Sequence, residues 1–231
     1  MNIERAAGAF LLVLPLAFNT FFFLLARGFD YPAILRSPTA EILTRFRAGG
    51  VRLKLLWYGF MLTAVLLAPL AVLLGQVLAR DDLALVPTAT VVGVLAAVVQ
   101  FLGLARWPFL VPALARTYED PAASEARREA AVVSFESFHR YLGVAIGECL
   151  GYLFTGAWTV LIGVAMLQSS TFEPWLAWPG IAIGVLLVAG SLEFVGGFEE
   201  KSWKLAGAVV PIAYTAWSLW LIGAGLVLLF G

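Results

Sequence analysis

The run Leu142–Leu167, "LGVAIGECLGYLFTGAWTVLIGVAML", decides the fold. It is 26 residues long and holds one charged side chain, Glu148. About 20 mostly apolar residues suffice to cross a bilayer, so the run reads as a transmembrane helix. At its head Gly143, Gly147 and Gly151 recur at intervals of four. Small residues at that spacing form a face on which a second helix can approach closely. Glu148 is a feature of the opposite kind, because an ionised acid at the bilayer centre costs about 2.5–3.5 kcal/mol.

The rest of the chain repeats the pattern. Of 231 residues, 61% are hydrophobic and 13% charged, and the mean hydropathy is +0.92. A water-soluble domain of this length has too much surface to leave so few polar groups on it. Five further stretches are apolar enough to span: Ala6–Ala26, Leu53–Leu78, Val86–Ala105, Trp178–Val195 and Leu205–Phe230. The expected fold is all-α, a polytopic integral membrane protein with six transmembrane helices in a single domain over residues 1–231. The first stretch exceeds the 7–15 apolar residues of a signal peptide and has no small-x-small cleavage site before Arg27, so it reads as a retained span. The formal net charge is zero, which points to no nucleic-acid partner. The one cysteine, Cys149, excludes an internal disulfide.

Charge sets the expected orientation. The segments joining spans 1–2, 3–4 and 5–6, with their flanks, hold thirteen of the fifteen Lys and Arg; only Arg5 and Arg80 lie on the other side. Basic residues mark the cytoplasmic face, so both termini are expected outside the cytoplasm. Trp57, Trp107 and Trp203 are expected in the inner aromatic belt, Trp175 and Trp178 in the outer one.

Two of the basic segments carry helix signals. In "RSPTAEILTRFRAGG" (residues 36–50), Ser37 can cap, Pro38 suits a first helical position, and Ile42, Leu43 and Phe46 share a face. A short interfacial helix ending at Gly49-Gly50 is expected there. From Asp120-Pro121 onward no breaker occurs before the fourth span, so one helix is expected to protrude into the cytoplasm and run on through the membrane. "GFEEKSW" at 197–203 reads as a solvated turn whose Glu199-Glu200 pair could meet a cation.

Four stretches carry a resemblance: "FDYPAILRSPTAEILTRFRAGG" (29–50), "WPFLVPALARTYEDP" (107–121), "RYLGVAIGECLGYLFTGAWTVL" (140–161) and "YTAWSLWLIGAGLVLL" (214–229). Together they resemble a bacterial family of six-span membrane proteins catalogued as domain of unknown function 4386. The likeness covers nearly the whole chain. It implies a bacterial cytoplasmic-membrane protein with six spans and carries no activity, cofactor or catalytic residue with it.

The polar residues at membrane depth are the candidate site. On an α-helical wheel Tyr141, Glu148, Tyr152, Thr155 and Thr159 fall near one line, with the glycines on a neighbouring stripe. Glu148 lies roughly 9 Å beyond Leu142. Asn19, Gln100 and Glu193 fall toward the same end of their spans, with His139, Arg140, Arg106 and Lys204 bordering that level. One reading makes these side chains interhelical struts. The other gathers Glu148, Tyr152, Thr155, Gln100, Asn19 and Glu193 around a cytoplasm-facing polar pocket for a small ligand, lipid or cation. A second class is a non-catalytic subunit or regulator, whose glycine stripe and protruding helix bind a protein partner or a second copy. A third is an intramembrane lipid-acting enzyme with a carboxylate base. Glu136 and His139 make a Glu-x-x-His step, but a single histidine cannot complete a di-iron bundle, so no metal is expected and Glu136 is read as pairing with Arg140. No phosphate-binding loop, dinucleotide fingerprint, zinc motif or hydrolase elbow occurs, and no cofactor is expected.

Overall fold

The computed structural model describes every residue except 1, 82, 198–200 and 202. The Glu199-Glu200 pair therefore lies outside the described residues. Among the described residues eight α-helices follow in order: α1 (Ile3–Phe29), α2 (Thr39–Leu78), α3 (Val86–Phe109), α4 (Val111–Tyr118), α5 (Glu125–Phe138), α6 (Gly151–Met166), α7 (Pro174–Gly190) and α8 (Lys204–Phe230). A π-helical stretch, His139–Leu150, joins α5 to α6 without a break. Six helical rods, formed by these elements, are long and apolar enough to cross a membrane. The protein is a multi-pass membrane protein.

The rods form a closed ring. α1 packs on α2, α2 on α3, α3 on the π stretch and α6, α6 on α7, α7 on α8, and α8 returns to α1. Both termini lie at one end, here the terminal end; the Lys- and Arg-rich connections lie at the other, the basic end. Apolar side chains on the outside of the ring, such as Val13, Leu16 and Phe23 on α1 and Leu205, Ile212 and Leu219 on α8, remain exposed. In a bilayer they face lipid.

Local chemistry explains where the rods bend and stop. Asp30 ends α1 in the left-handed conformation (φ 59°), and its N–H donates to the Leu25 carbonyl. The chain then turns through a cis Tyr31–Pro32 bond and a 3-10 turn, Ala33–Arg36. Within α2, Gly50 takes φ 58° and ψ −145°, a conformation that only glycine adopts without strain. It divides a short first segment from the long spanning one. Ile42, Leu43 and Phe46 on that segment are not turned to lipid. They are buried with Phe29, Trp57, Trp107 and Phe135, so the chain's own helices cover the face expected at the membrane interface.

Other expectations are also corrected. Trp57 and Trp107 are fully buried and stack at 4.3 Å, so neither sits in an aromatic belt, whereas Trp175 and Trp178 are exposed. α5 begins at Glu125 under a Ser124 cap; Asp120 instead accepts from the Ala122 N–H in the preceding turn. α5 does not stand free, because Ala131 and Phe135 bury it against α4 and α2. Glu136 accepts a hydrogen bond from Thr39 (2.9 Å), and no Glu136–Arg140 ion pair forms among the described residues. The α-helical i,i+4 register ends where the π stretch begins. α4 had no sequence signal beyond Pro108 and Pro112, which lack the N–H groups needed to carry α3 straight on.

Two cores fill the ring. Toward the terminal end Leu67, Leu74, Trp158, Ile162, Trp217 and Leu221 form an apolar interior. At the basic end the cluster around Trp57, Trp107 and Phe29 packs between α1, α2, α3 and α4. A cavity separates the two.

Candidate functional site

The π stretch forms one wall. It runs 12 residues, where such geometry is usually a single turn and is frequent at functional sites. A π turn holds more residues than an α turn, so glycines four apart stay on one face while residues seven apart do not. Gly143, Gly147 and Gly151 all face α3. A methyl group on Gly147 would lie 3.0 Å from the Gly103 Cα, one on Gly143 would lie 2.6 Å from the Arg106 guanidinium, and one on Gly151 would lie 3.2 Å from the Gln100 side chain. Tyr141 points away and is 65% exposed. The α-helical wheel that aligned it with Glu148 used the wrong pitch.

The cavity, of about 450 Å³, lies in the half of the ring nearer the basic end. Five residues singled out from the sequence reach its wall from five parts of the chain: Asn19 on α1, Gln100 on α3, Glu148 on the π stretch, Tyr152 on α6 and Glu193. Glu193 is not within a spanning helix. It sits on a 3-10 turn, Ser191–Phe194, because α7 ends at Gly190. Thr155 does not line the cavity; it is fully buried and accepts from the Gln100 amide at 2.7 Å.

That bond belongs to a polar layer on the terminal side of the cavity. Asn19 donates to Ser218 (2.9 Å) and to the Pro15 carbonyl (2.7 Å). The Trp217 indole donates to Thr159 (3.0 Å), whose hydroxyl donates to the Thr155 carbonyl (2.7 Å). These bonds tie α1 to α8, α3 to α6 and α6 to α8. Asn19, Gln100 and Thr155 thus work as struts, because buried polar groups need partners in a low-dielectric interior.

Glu148 differs. It makes no hydrogen bond and no ion pair within 4 Å among the described residues. Arg106, buried at 6% exposure, lines the same cavity, but its guanidinium is held elsewhere. It donates to the Gly103 carbonyl, meets His139 Nδ1 at 3.1 Å and lies over the Trp107 ring. Arg106 donates only, so His139 accepts on Nδ1, and the ring in turn stacks on Phe135.

Much of the remaining wall is aromatic, from Phe18, Phe22, Tyr31, Phe60 and Tyr214, and Leu35, Leu104, Val210 and the Arg36 side chain also line it. Their rings meet in a continuous set, Phe18 with Phe60 at 5.2 Å, Phe22 with Tyr31 at 5.6 Å, and Tyr152 with Tyr214 at 5.5 Å. Burial pushes the Tyr31 phenol well above its ordinary range, and the Glu148 charge adds to this while Arg106 opposes it. Sequence reading missed this aromatic wall. Its one local signal was Phe18 and Phe22, four apart on α1; Phe60 and Tyr31 arrive only through folding. Among the described residues no three His, Cys, Asp or Glu side chains converge to hold a metal ion. Cys149 donates to the Ser191 carbonyl (3.5 Å).

A half-buried carboxylate without a hydrogen-bond partner among the described residues, set beside aromatic walls, can attract an organic cation by charge and by the negative faces of the rings. Comparison with known proteins adds the family. No curated protein and no solved structure matches the chain. A family model matches residues 6–225 of 231, nearly the whole length. The chain belongs to the family described as Domain of unknown function (DUF4386).

Proposed function

We propose that this membrane protein binds a small organic cation, a compound bearing an ammonium group, in the cavity, with Glu148 as its charge partner. The observation that carries the reading is the Glu148 carboxylate, which lines the cavity without a hydrogen bond or ion pair among the described residues. Stranding such a charge is costly, and a bound cation removes the cost. Phe18, Phe22, Phe60 and Tyr214 supply ring faces. Gln100 and Tyr152 set the shape of the wall, and Glu193 stands at the basic side. The charge asymmetry of the connections supports a cytoplasmic basic end, with the cavity facing inward. The glycine stripe is covered by α3 and so lends the subunit reading no support.

The test is thermal unfolding of the purified protein in detergent, with ethylammonium, tetramethylammonium and choline added. A ligand at 100 times its Kd stabilises by about 2.7 kcal/mol. The wild type is expected to gain stability with at least one of these, and Glu148→Gln to gain none while folding normally. If no ammonium compound stabilises the wild type, the reading fails.

A further inference from the structure

One outward-facing residue on α1 and one on α8 also line the cavity. On α8 the exposed stripe runs Leu205, Ala208, Ile212, Thr215, Leu219, spaced by three and four. Thr215 belongs to that stripe and also lines the cavity. On α1, Asn19 is exposed beside Leu16, Thr20 and Phe23 and lines the cavity too. The two helices meet backbone to backbone toward the terminal end, where a methyl group on Gly225 would lie 3.0 Å from the Gly8 carbonyl. Toward the basic end their last hydrogen bond is Asn19 to Ser218, and their last ring contact is Phe18 to Tyr214 at 6.2 Å. Beyond it α8 offers Pro211 and Gly207, and a methyl group on Gly207 would find only Glu193 within 4 Å, at 3.8 Å.

At Asn19 and Thr215 the cavity wall therefore lies at hydrocarbon depth. Asn19 is ten residues from the end of α1, and Thr215 is eleven from the start of α8. At 1.5 Å per residue each sits roughly 15 Å in, about half the thickness of the apolar core. A water-soluble amine has no use for such a slot. A membrane amphiphile does, because its chain can stay in hydrocarbon while its head reaches a polar site.

Resting on the ammonium reading above, we propose that the ligand is a membrane amphiphile with an ammonium headgroup. It passes between α1 and α8, its head meeting Glu148 and its hydrocarbon chain lying in the slot at Asn19 and Thr215. The test uses the full chain in phosphatidylcholine nanodiscs at pH 7 with dodecylamine, ethylamine and dodecanol. Dodecylamine is expected to stabilise the wild type, dodecanol to do nothing, and Glu148→Gln to abolish the effect. Thr215→Phe fills the slot from an exposed position and is expected to weaken dodecylamine about tenfold or more, and ethylamine by much less. Thr215→Val, equal in size, is expected to keep both. A Thr215→Phe variant that binds dodecylamine as the wild type does overturns the slot and leaves the ammonium site standing. Loss of both amines only in Glu148→Gln, with ethylamine the tighter ligand of the wild type, does the same. No response of the wild type to either amine overturns the site itself. A measurement on the unaltered protein is independent of variant folding: dodecylamine with a diazirine at its chain end should label α1 or α8 near Asn19 and Thr215. Labelling confined to other helices overturns the proposal.

Discussion

The two halves of the ring are built from the same kind of helix and end up opposite in character. In the terminal half glycines let backbones touch. A methyl group on Gly156 would lie 2.6 Å from the Gly184 carbonyl, and one on Gly163 would lie 3.0 Å from the Ala177 carbonyl. Trp158 and Trp217 fill what remains, and the interior is apolar. In the half nearer the basic end only the Gly103–Gly147 backbone contact is that close among the described residues. Opposite it stand Phe18, Phe22, Tyr31 and Phe60, which hold α1 and α2 away from the π stretch and leave the cavity. Small residues close a helical bundle and large rings at its seam prop it open.

That contrast can be broken most directly by truncating one large ring in each half. Trp158→Ala removes a fully buried indole from the apolar core, and about 3–5 kcal/mol of stability should go with it. Phe18→Ala removes a ring already facing space, so the loss should stay under about 2 kcal/mol. Urea or thermal unfolding of both variants in one detergent decides; equal losses would mean the two halves are equally packed.

Glycines offer the second comparison. Gly147→Leu drives bulk into the α3 backbone and should cost about 1–3 kcal/mol or prevent folding. Gly207→Ala meets open space on the cavity side of α8 and should be neutral or stabilise by about 0.5–1 kcal/mol through helix propensity alone. A destabilised Gly207→Ala would show that the cavity closes in solution.

The smallest effect concerns Tyr31. Its phenol is raised in the folded protein above its value in the unfolded chain. Folding therefore favours the protonated form. That contribution is intact below about pH 10 and is lost as pH climbs above it, at up to about 1.4 kcal/mol per unit. Between pH 10 and 11 the wild type should lose more stability than Tyr31→Phe. Parallel curves would place Tyr31 in contact with solvent and open the cavity wall there.

Much of this was legible from the chain because membrane insertion is a one-dimensional problem. Whether a segment spans depends on its own apolar length, and the expected limits at Leu78 and Val86 coincide with the helix ends. Limits set by caps shifted by a few residues. α7 starts at Pro174 rather than Trp178, because Glu173 and Pro174 make a helix start before the apolar run deepens. The polar residues worth watching were also visible, since any such side chain at membrane depth is conspicuous. Their division of labour was not: Asn19, Gln100 and Thr155 have the same polarity in the sequence as residues left facing space, and only their neighbours make them struts.

The sequence by itself determined the six spans, the side on which basic residues gather, and the glycine spacing. Each is a property of composition or period along one helix. The tertiary structure alone decided which helix the glycines touch, that Arg106 bonds to Gly103 and His139 and makes no ion pair with Glu148 within 4 Å, and that Tyr31 and Phe60 meet Phe18 and Phe22 in one wall. It also decided the pitch. Nothing in the composition of residues 139–150 distinguishes an i→i+5 ladder from an i→i+4 one; the wider turn is fixed by how the stretch packs against α3. Such contacts join residues far apart in the chain, and their energies depend on geometry that no single helix contains.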